Sequence, residues 1–347
     1  MGVPHEGARD ILVSTSPAYF GSAEALLRRS MPDARSERLA PDAALLSLDG
    51  DHADHVADVI RADVPFVRHI GSVVRSIDAS GDMTPESVAQ QVAAELPRDE
   101  SGVSLQVWAS GDAPLDPTTT RRVVEEAIRG LGIDVQYGGR PWVVGLFLCA
   151  SRVVVMVTRL EEALCDWPGG RMRFRATPAQ ISRAEFKLEE VLALCPLDLR
   201  ERASALDLGA SPGGWTRILL EKGLNVWAID PGSLESPVGS DPRVTYRRMT
   251  ANRFLSETGD LPRFQLAVND MRMAPELSCE LMVKASEVLE PRGYAVMTLK
   301  VTPRTALDSL ERSDQILRRA FDVVFVRQLF HNRNEVTLVA RKGPSRR

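Results

Sequence analysis

Four apolar runs in the second half of the chain constrain its fold more than any other feature. ASALDLGA, NVWAIDP, FQLAVNDM and GYAVMTLK are nearly continuous in hydrophobic residues, and helical patterns separate them. Such strands cannot have a wet face, so they imply a parallel sheet covered by helices on both sides. The runs finish on Gly209, Asp230, Asp270 and Lys300, and the carboxyl ends of strands are where open α/β sheets take their ligands. This strand–turn–helix repetition starts near Ser182.

Upstream the texture differs. Between Ile11 and Thr158, short strand-like runs (DILVSTS, Ala43 to Leu48, PFVRHIGSVVRSID, VSLQVWAS, WVVGLFLCA, RVVVMVT) mix with helical stretches (SAEALLRRSM, HADHVADVI, TPESVAQQVAAEL, TTTRRVVEEAIRGLG). VSLQVWAS reads as alternating, and WVVGLFLCA and RVVVMVT as buried strands joined by a short turn. Thr84 is placed to cap a helix, with Pro85 in its first turn and Glu86 near its positive end. The pattern is α+β and carries no catalytic constellation. RLEEALCDWPGGRMRFRATPAQ, rich in Gly, Pro and Arg, marks the boundary between the two halves.

A length of 347 residues suits two or three domains. No apolar run approaches the roughly 18 to 20 residues of a membrane span. The opening MGVPHEGARD lacks a basic-then-apolar leader, and its Met-Gly lacks the hydroxyl residue that myristoylation expects a few positions on. Cys149, Cys165, Cys195 and Cys279 are scattered, with no CxxC pair and no histidine beside them. That argues against zinc and against a disulfide framework, and the expectation is a reducing cytoplasm. A net charge of −4 does not advertise a nucleic-acid binder. Local basic clusters (Arg171, Arg173 and Arg175; Arg247 and Arg248; Arg318 and Arg319; the tail RKGPSRR) read individually as solvated faces unless they converge.

LDLGASPGGWT joins the first run of the second half to a helix. It is neither the G-x-G-x-x-G dinucleotide turn nor a phosphate loop, because no Gly-Lys-Ser/Thr follows. Gly209 and Gly213 would let backbone approach a ligand, and Gly214 would let the helix pack close to the sheet. Asp230, closing the next strand, is spaced to accept both hydroxyls of a ribose. Turn and carboxylate together point to S-adenosylmethionine; the bland alternative is a tight connection beside a solvated Asp.

SRAEFKLEEVL, LDLGASPGGWT, VNDM, MTLK and RQLFHNRNEVTLVARK together resemble the FtsJ-like family of RNA 2′-O-ribose methyltransferases. Within it the likeness is to the bacterial branch that carries a THUMP domain and acts on a cytidine of 23S rRNA. It extends upstream through SPAYFGSAEALLRR, PFVRHIGSVV, GRPWVVGLFLCA and WPGGRMRF. The resemblance implies a Rossmann-like S-adenosylmethionine-dependent methyltransferase domain over 176–347, ending in a basic tail. It also implies small α+β domains before it: a ferredoxin-like one over 1–80 and a THUMP-like, RNA-binding one over 81–175. It implies a catalytic Lys187, Asp270, Lys300 and Glu335 tetrad. Gly209, Ser211, Pro212, Gly213, Gly214, Trp215, Asp230, Thr250 and Asp270 would hold the cofactor, with Thr250 standing where the family often has an acid for the adenine amino group. Arg171, Arg173, Arg175 and Arg183 would contact RNA phosphates, and no metal or membrane is involved.

Residue chemistry supports part of the tetrad independently. Asp270 and Lys300 close apolar strands, and Glu335 interrupts the otherwise apolar NEVTLVA. Lys187, on an amphipathic helix, would by itself be read as solvated. The expected roles are Lys300 as general base, Lys187 lowering its pKa, and the two acids holding the amines. His331, near Glu335, reads as structural, with an RNA contact as the alternative. The alternative with the same chemistry is tRNA or another RNA as substrate, since short motifs do not encode the nucleotide. A small-molecule O-methyltransferase and a non-catalytic RNA-binding assembly factor are the readings from other classes.

Overall fold

The computed structural model describes residues 9–48, 56–79, 81–97, 102–257 and 261–343. The opening eight residues, His52 and His55 at the head of HADHVADVI, and the basic tail beyond Gly343 lie outside the described residues. The chain divides into two compact units, Met1–Met172 and Arg173–Arg347, and the division falls inside the Gly-, Pro- and Arg-rich stretch. Among the described residues no helix is long and apolar enough to cross a membrane.

Unit 1 contains β1 (Arg9–Thr15), α1 (Phe20–Ser30), β2 (Arg35–Ala40), β3 (Ala43–Leu48), α2 (Val56–Asp63), β4 (Val67–Asp78), α3 (Pro85–Glu95), β5 (Val103–Ala109), α4 (Pro117–Gly130), β6 (Val135–Gln136), β7 (Trp142–Leu148) and β8 (Arg152–Arg159). Its strands form one sheet in the order β2-β3-β1-β4-β8-β7-β5-β6. β4 is twelve residues long, and it pairs with β1 through its first half and β8 through its second. The regions 1–80 and 81–175 are therefore hydrogen-bonded into a single sheet.

Two local readings change. β5 does not alternate: Val103 through Trp108 are all buried, because α3 and α4 cover one face and other apolar side chains the opposite one. β2 escaped notice because an edge strand with Arg35, Glu37 and Arg38 facing solvent carries little apolar signal. α3 starts as read. Thr84 accepts from Ser87 N, Ser87 Oγ accepts in return from Thr84 N, and Pro85 occupies the first helical position. Val88 and Val92 then pack on Val124 and Ile128 of α4 and on the sheet.

Unit 2 contains α5 (Glu185–Leu194), β9 (Ser204–Leu208), α6 (Gly214–Glu221), β10 (Asn225–Ile229), β11 (Val244–Arg247), α7 (Ala251–Phe254), β12 (Phe264–Asn269), α8 (Pro275–Ala285), β13 (Leu289–Lys300), α9 (Ala306–Leu317), β14 (Phe321–Arg327) and β15 (Glu335–Lys342). The strand order is β11-β10-β9-β12-β13-β15-β14. β9 to β13 are mutually parallel, and β15 runs antiparallel to both neighbours. This is a Rossmann-like α/β fold. Its order reverses at β9, with β10 on one side and β12 on the other, which opens a crevice at their carboxyl ends. Leu188 and Val191 of α5 and Trp215, Ile218 and Leu219 of α6 close one face over Val226, Leu266, Val268 and Val296.

The capping box yields a direct test. Thr84→Ala should cost unit 1 about 1 kcal/mol, with Thr84→Ser close to wild type. Chemical denaturation followed by circular dichroism measures both.

Candidate active site

The crevice gathers four charged side chains from four elements. Asp270 follows β12. Lys300 is the last residue of β13 and Glu335 the first of β15; antiparallel pairing makes these two direct register partners. Lys187 reaches in from α5. Its Nζ lies 3.1 Å from Asp270 Oδ2 and 2.5 Å from Glu335 Oε1. Lys300 Nζ donates to Asp270 Oδ1 at 2.7 Å and to Glu335 Oε2 at 2.8 Å. Each lysine thus bridges both acids, and all four side chains are largely buried.

Residues that sequence reasoning missed complete the arrangement. Thr298 Oγ donates to Asp270 Oδ1 and accepts from Lys300 Nζ at 2.7 Å. Its signal was its place two residues before Lys300, on the same face of the strand. Asn269 is fully buried; it donates to Ser278 Oγ at 3.0 Å and accepts from Met271 N at 2.9 Å. It thereby fixes the loop that presents Asp270. Glu190, buried on α5, accepts from Phe330 N at 2.8 Å and from His331 N at 3.0 Å, and pairs with His331 Nδ1 at 2.7 Å. His331 is held there beside Phe174 and Phe186.

The electrostatics correct one expectation. Burial disfavours the Lys300 ammonium, but the Asp270 and Glu335 carboxylates outweigh burial and raise its pKa above the ordinary lysine value. Lys300 is not a pre-lowered amine. Burial likewise works to raise Asp270, yet Lys187, Lys300 and the Thr298 hydroxyl hold its carboxyl below the usual range. Chemically the cluster can orient a hydroxyl between ammonium and carboxylate groups and pass a proton among them.

On the other side of the crevice, the β9–α6 turn is built for close approach. Gly213 has φ +117°, which L side chains rarely adopt. A Cβ on Gly214 would come within 2.5 Å of Ser182 Oγ and 3.1 Å of Glu185 Cγ, so its bareness serves packing on the start of α5 rather than on the sheet. Gly209 faces Met271 of the Asp270 loop. Ser211 precedes Pro212 through a cis peptide, and its hydroxyl donates to Ser233 O at 2.9 Å. Asp230 accepts from Ser211 N at 3.2 Å and Gly232 N at 2.6 Å, one bond to each oxygen. Each oxygen retains acceptor capacity for a diol, so the residues present fit a bound nucleoside.

Three of the expected site residues have partners of their own. Trp215 is 4% exposed, packs in the core and donates from its indole nitrogen to Ala184 O at 2.8 Å. The Thr250 hydroxyl caps α7 by accepting from Arg253 N at 3.3 Å. Arg171 belongs to unit 1 and pairs there with the buried Asp42. Arg173, Arg175 and Arg183 belong to unit 2 and are exposed. Among the described residues no cluster of three or more His, Cys, Asp or Glu could hold a metal ion.

Residues 180–335 match the sequence pattern of the FtsJ-like methyltransferase family. A Halorhodospira halophila protein named "Ribosomal RNA large subunit methyltransferase M" is 36% identical over 183 residues, 52% of this chain and 52% of that protein. An Alkalilimnicola ehrlichii protein of the same name is 30% identical over 265 residues, 73% of this chain and 72% of that one. An uncharacterized Methanocaldococcus jannaschii protein is 28% identical over 168 residues, 47% of each chain. The matched segments thus span about half of the first and third relatives and nearly three quarters of the second.

Asp207, within β9, lies below the turn and bonds Thr216 Oγ at 2.7 Å. Burial, with smaller contributions from Asp270 and Asp230, pushes its pKa from 3.8 to about 7. A carboxyl raised in the fold stabilises it most below its unfolded pKa, and that contribution is lost as pH rises from about 4 to about 7. Asp207→Asn should therefore raise the melting temperature by several degrees at pH 8 and change it little at pH 4. Calorimetry at the two pH values tests this; equal shifts at both would mean that Asp207 is not held protonated.

Proposed function

The chain belongs to the FtsJ-like methyltransferase family, and on that basis we propose that it methylates the 2′-hydroxyl of an RNA ribose with S-adenosylmethionine, at a cytidine of 23S rRNA. The observation that carries this reading is the pair of lysines bridged by two carboxylates at the mouth of the crevice. The match to two proteins named as large-subunit ribosomal RNA methyltransferases supports the substrate. In this reading unit 1 comprises the ferredoxin-like and THUMP-like parts and grips structured RNA, while unit 2 takes one unstacked nucleotide.

S-adenosylmethionine supplies an electrophilic methyl group. Asp230 would accept the hydroxyls of its ribose, and the Gly209, Ser211, Pro212, Gly213 and Gly214 turn would lie along its length. A ribose hydroxyl is a weak nucleophile and must lose its proton as it attacks. Lys300 is the acceptor in this reading, and only its neutral amine can serve. Since Asp270 and Glu335 favour the ammonium, the competent form is scarce at neutral pH and grows as pH rises. Lys187 shares both acids with Lys300 and so dilutes their hold on it. Lys187 and Asp270 also orient the hydroxyl, and alignment supplies most of the rate gain.

Lys300→Ala should slow single-turnover methylation of an unmodified 23S rRNA fragment roughly 10²- to 10⁴-fold, leaving cofactor and RNA affinity intact. Lys300→Arg should fail nearly as badly, because a guanidinium keeps its proton. The wild-type rate should climb with pH, and Lys187→Ala should move the climb to higher pH by leaving both acids to Lys300 alone. A near-normal rate in Lys300→Arg would make the lysine an electrostatic clamp only.

Asp230→Ala should weaken S-adenosylmethionine binding by about 1 to 3 kcal/mol. Titration calorimetry reads this directly, and unchanged affinity would remove Asp230 from the cofactor site.

A further inference from the structure

Aromatic residues are sparse in this chain, with ten phenylalanines in 347 residues, yet three of them meet His331 beside the tetrad. Phe174 and Phe186 stack with centroids 6.0 Å apart and planes 18° apart. The His331 ring lies 5.5 Å from Phe174 and 5.1 Å from Phe186, and Phe330 meets His331 edge-on at 5.2 Å. All four rings are half-buried rather than sealed in the core. The cluster borders the charged site through the chain itself. Phe186 precedes Lys187 on α5, and His331 stands four residues before Glu335. Glu190, anchored to both Phe330 and His331, holds the two walls together.

Arginines neighbour the cluster along the chain. Arg173 and Arg175 flank Phe174, Arg183 lies just before α5, and Arg333 follows His331 by two residues; all four are exposed. Of the acids nearby, Glu190 is buried and committed to the Phe330–His331 turn, and Glu189 and Glu221 line a hollow with Phe174 on the α5–α6 side. Aromatic rings only partly covered, next along the chain to exposed guanidinium groups, match one chemistry well: a flat heterocycle on a polyanionic backbone.

We propose that Phe174, Phe186 and His331 form a stacking shelf for the base next to the nucleotide being methylated, with Arg173, Arg175 and Arg183 taking the adjoining phosphates. The proposal rests on RNA being the substrate. The shelf keeps the flanking base out of the stack while the target ribose sits against the tetrad. Stacking on a π-face is tolerant of sequence, so the shelf sets the position of the strand and not the identity of the neighbouring base.

The test uses the full chain and an unmodified 23S rRNA fragment that the wild-type protein methylates. Phe186→Leu keeps apolar bulk and removes the π-face; it should raise KM for RNA about tenfold and leave kcat, S-adenosylmethionine affinity and melting temperature near wild type. Phe186→Trp should restore KM. With 2-aminopurine placed at each neighbour of the methylated nucleotide in turn, one position should be quenched on binding wild type and not on binding Phe186→Leu. Should Phe186→Leu fold poorly, Phe174→Leu carries the same expectation. Unchanged KM and unchanged quenching in a folded variant would overturn the shelf while leaving the methyltransferase reading intact. A fall in kcat and melting temperature with no change in KM would make the cluster a structural staple. A wild-type protein that binds cofactor but methylates no RNA would remove the premise and the shelf together.

Discussion

β15 runs against its neighbours in the sheet, and that reversal decides where the last acid of the site stands. Were it parallel, its first residue would lie at the far edge, away from the crevice. Running antiparallel, it begins where β13 ends, so Glu335 and Lys300 become register partners although they lie 35 positions apart in the chain. Asp270 and Lys187 then complete a closed set of two cations and two anions. Such a set is a poor means of stabilising a fold, because desolvating four charges consumes most of what their attraction returns. Its value lies in fixed geometry and controlled proton affinity. The same attraction that assembles the lysines also makes Lys300 reluctant to lose its proton.

Much of unit 2 was legible because parallel strands buried on both faces leave a plain signature, and because polar residues at their carboxyl ends interrupt it. Asp230, Asp270 and Lys300 were found that way. Lys187 was not, since a lysine on an amphipathic helix carries the same pattern whether it faces water or a crevice; only the resemblance singled it out. Thr298 and Asn269 stayed hidden because a small polar residue inside an apolar strand gives no hint of its partner. The burial of the Trp215 side chain was hidden for a related reason. Sequence order does not reveal that the side chain following the glycines packs into the core. Arg171 looked like its companions Arg173 and Arg175 until Asp42, 129 positions away, was seen to claim it.

Two acids of the crevice illustrate how environment alone separates identical side chains. Asp207 lies inside β9, 2% exposed, with the Thr216 hydroxyl as partner and carboxylates as neighbours. Asp230 closes the adjacent strand and receives two main-chain N–H groups. The first is driven toward the neutral acid and belongs to the scaffold. The second is supplied with donors and remains available to a ligand.

Glu190 has a consequence that reaches beyond its own hydrogen bonds. It is rooted in the helix that carries Lys187, and it grips the turn that leads into Glu335. One carboxylate therefore acts as a jig for two members of the tetrad while touching neither. The placement of two of the four charged side chains is thus tied to this one fastening. An engineer seeking to retune the site while sparing its chemistry would find the adjusting screw at Glu190.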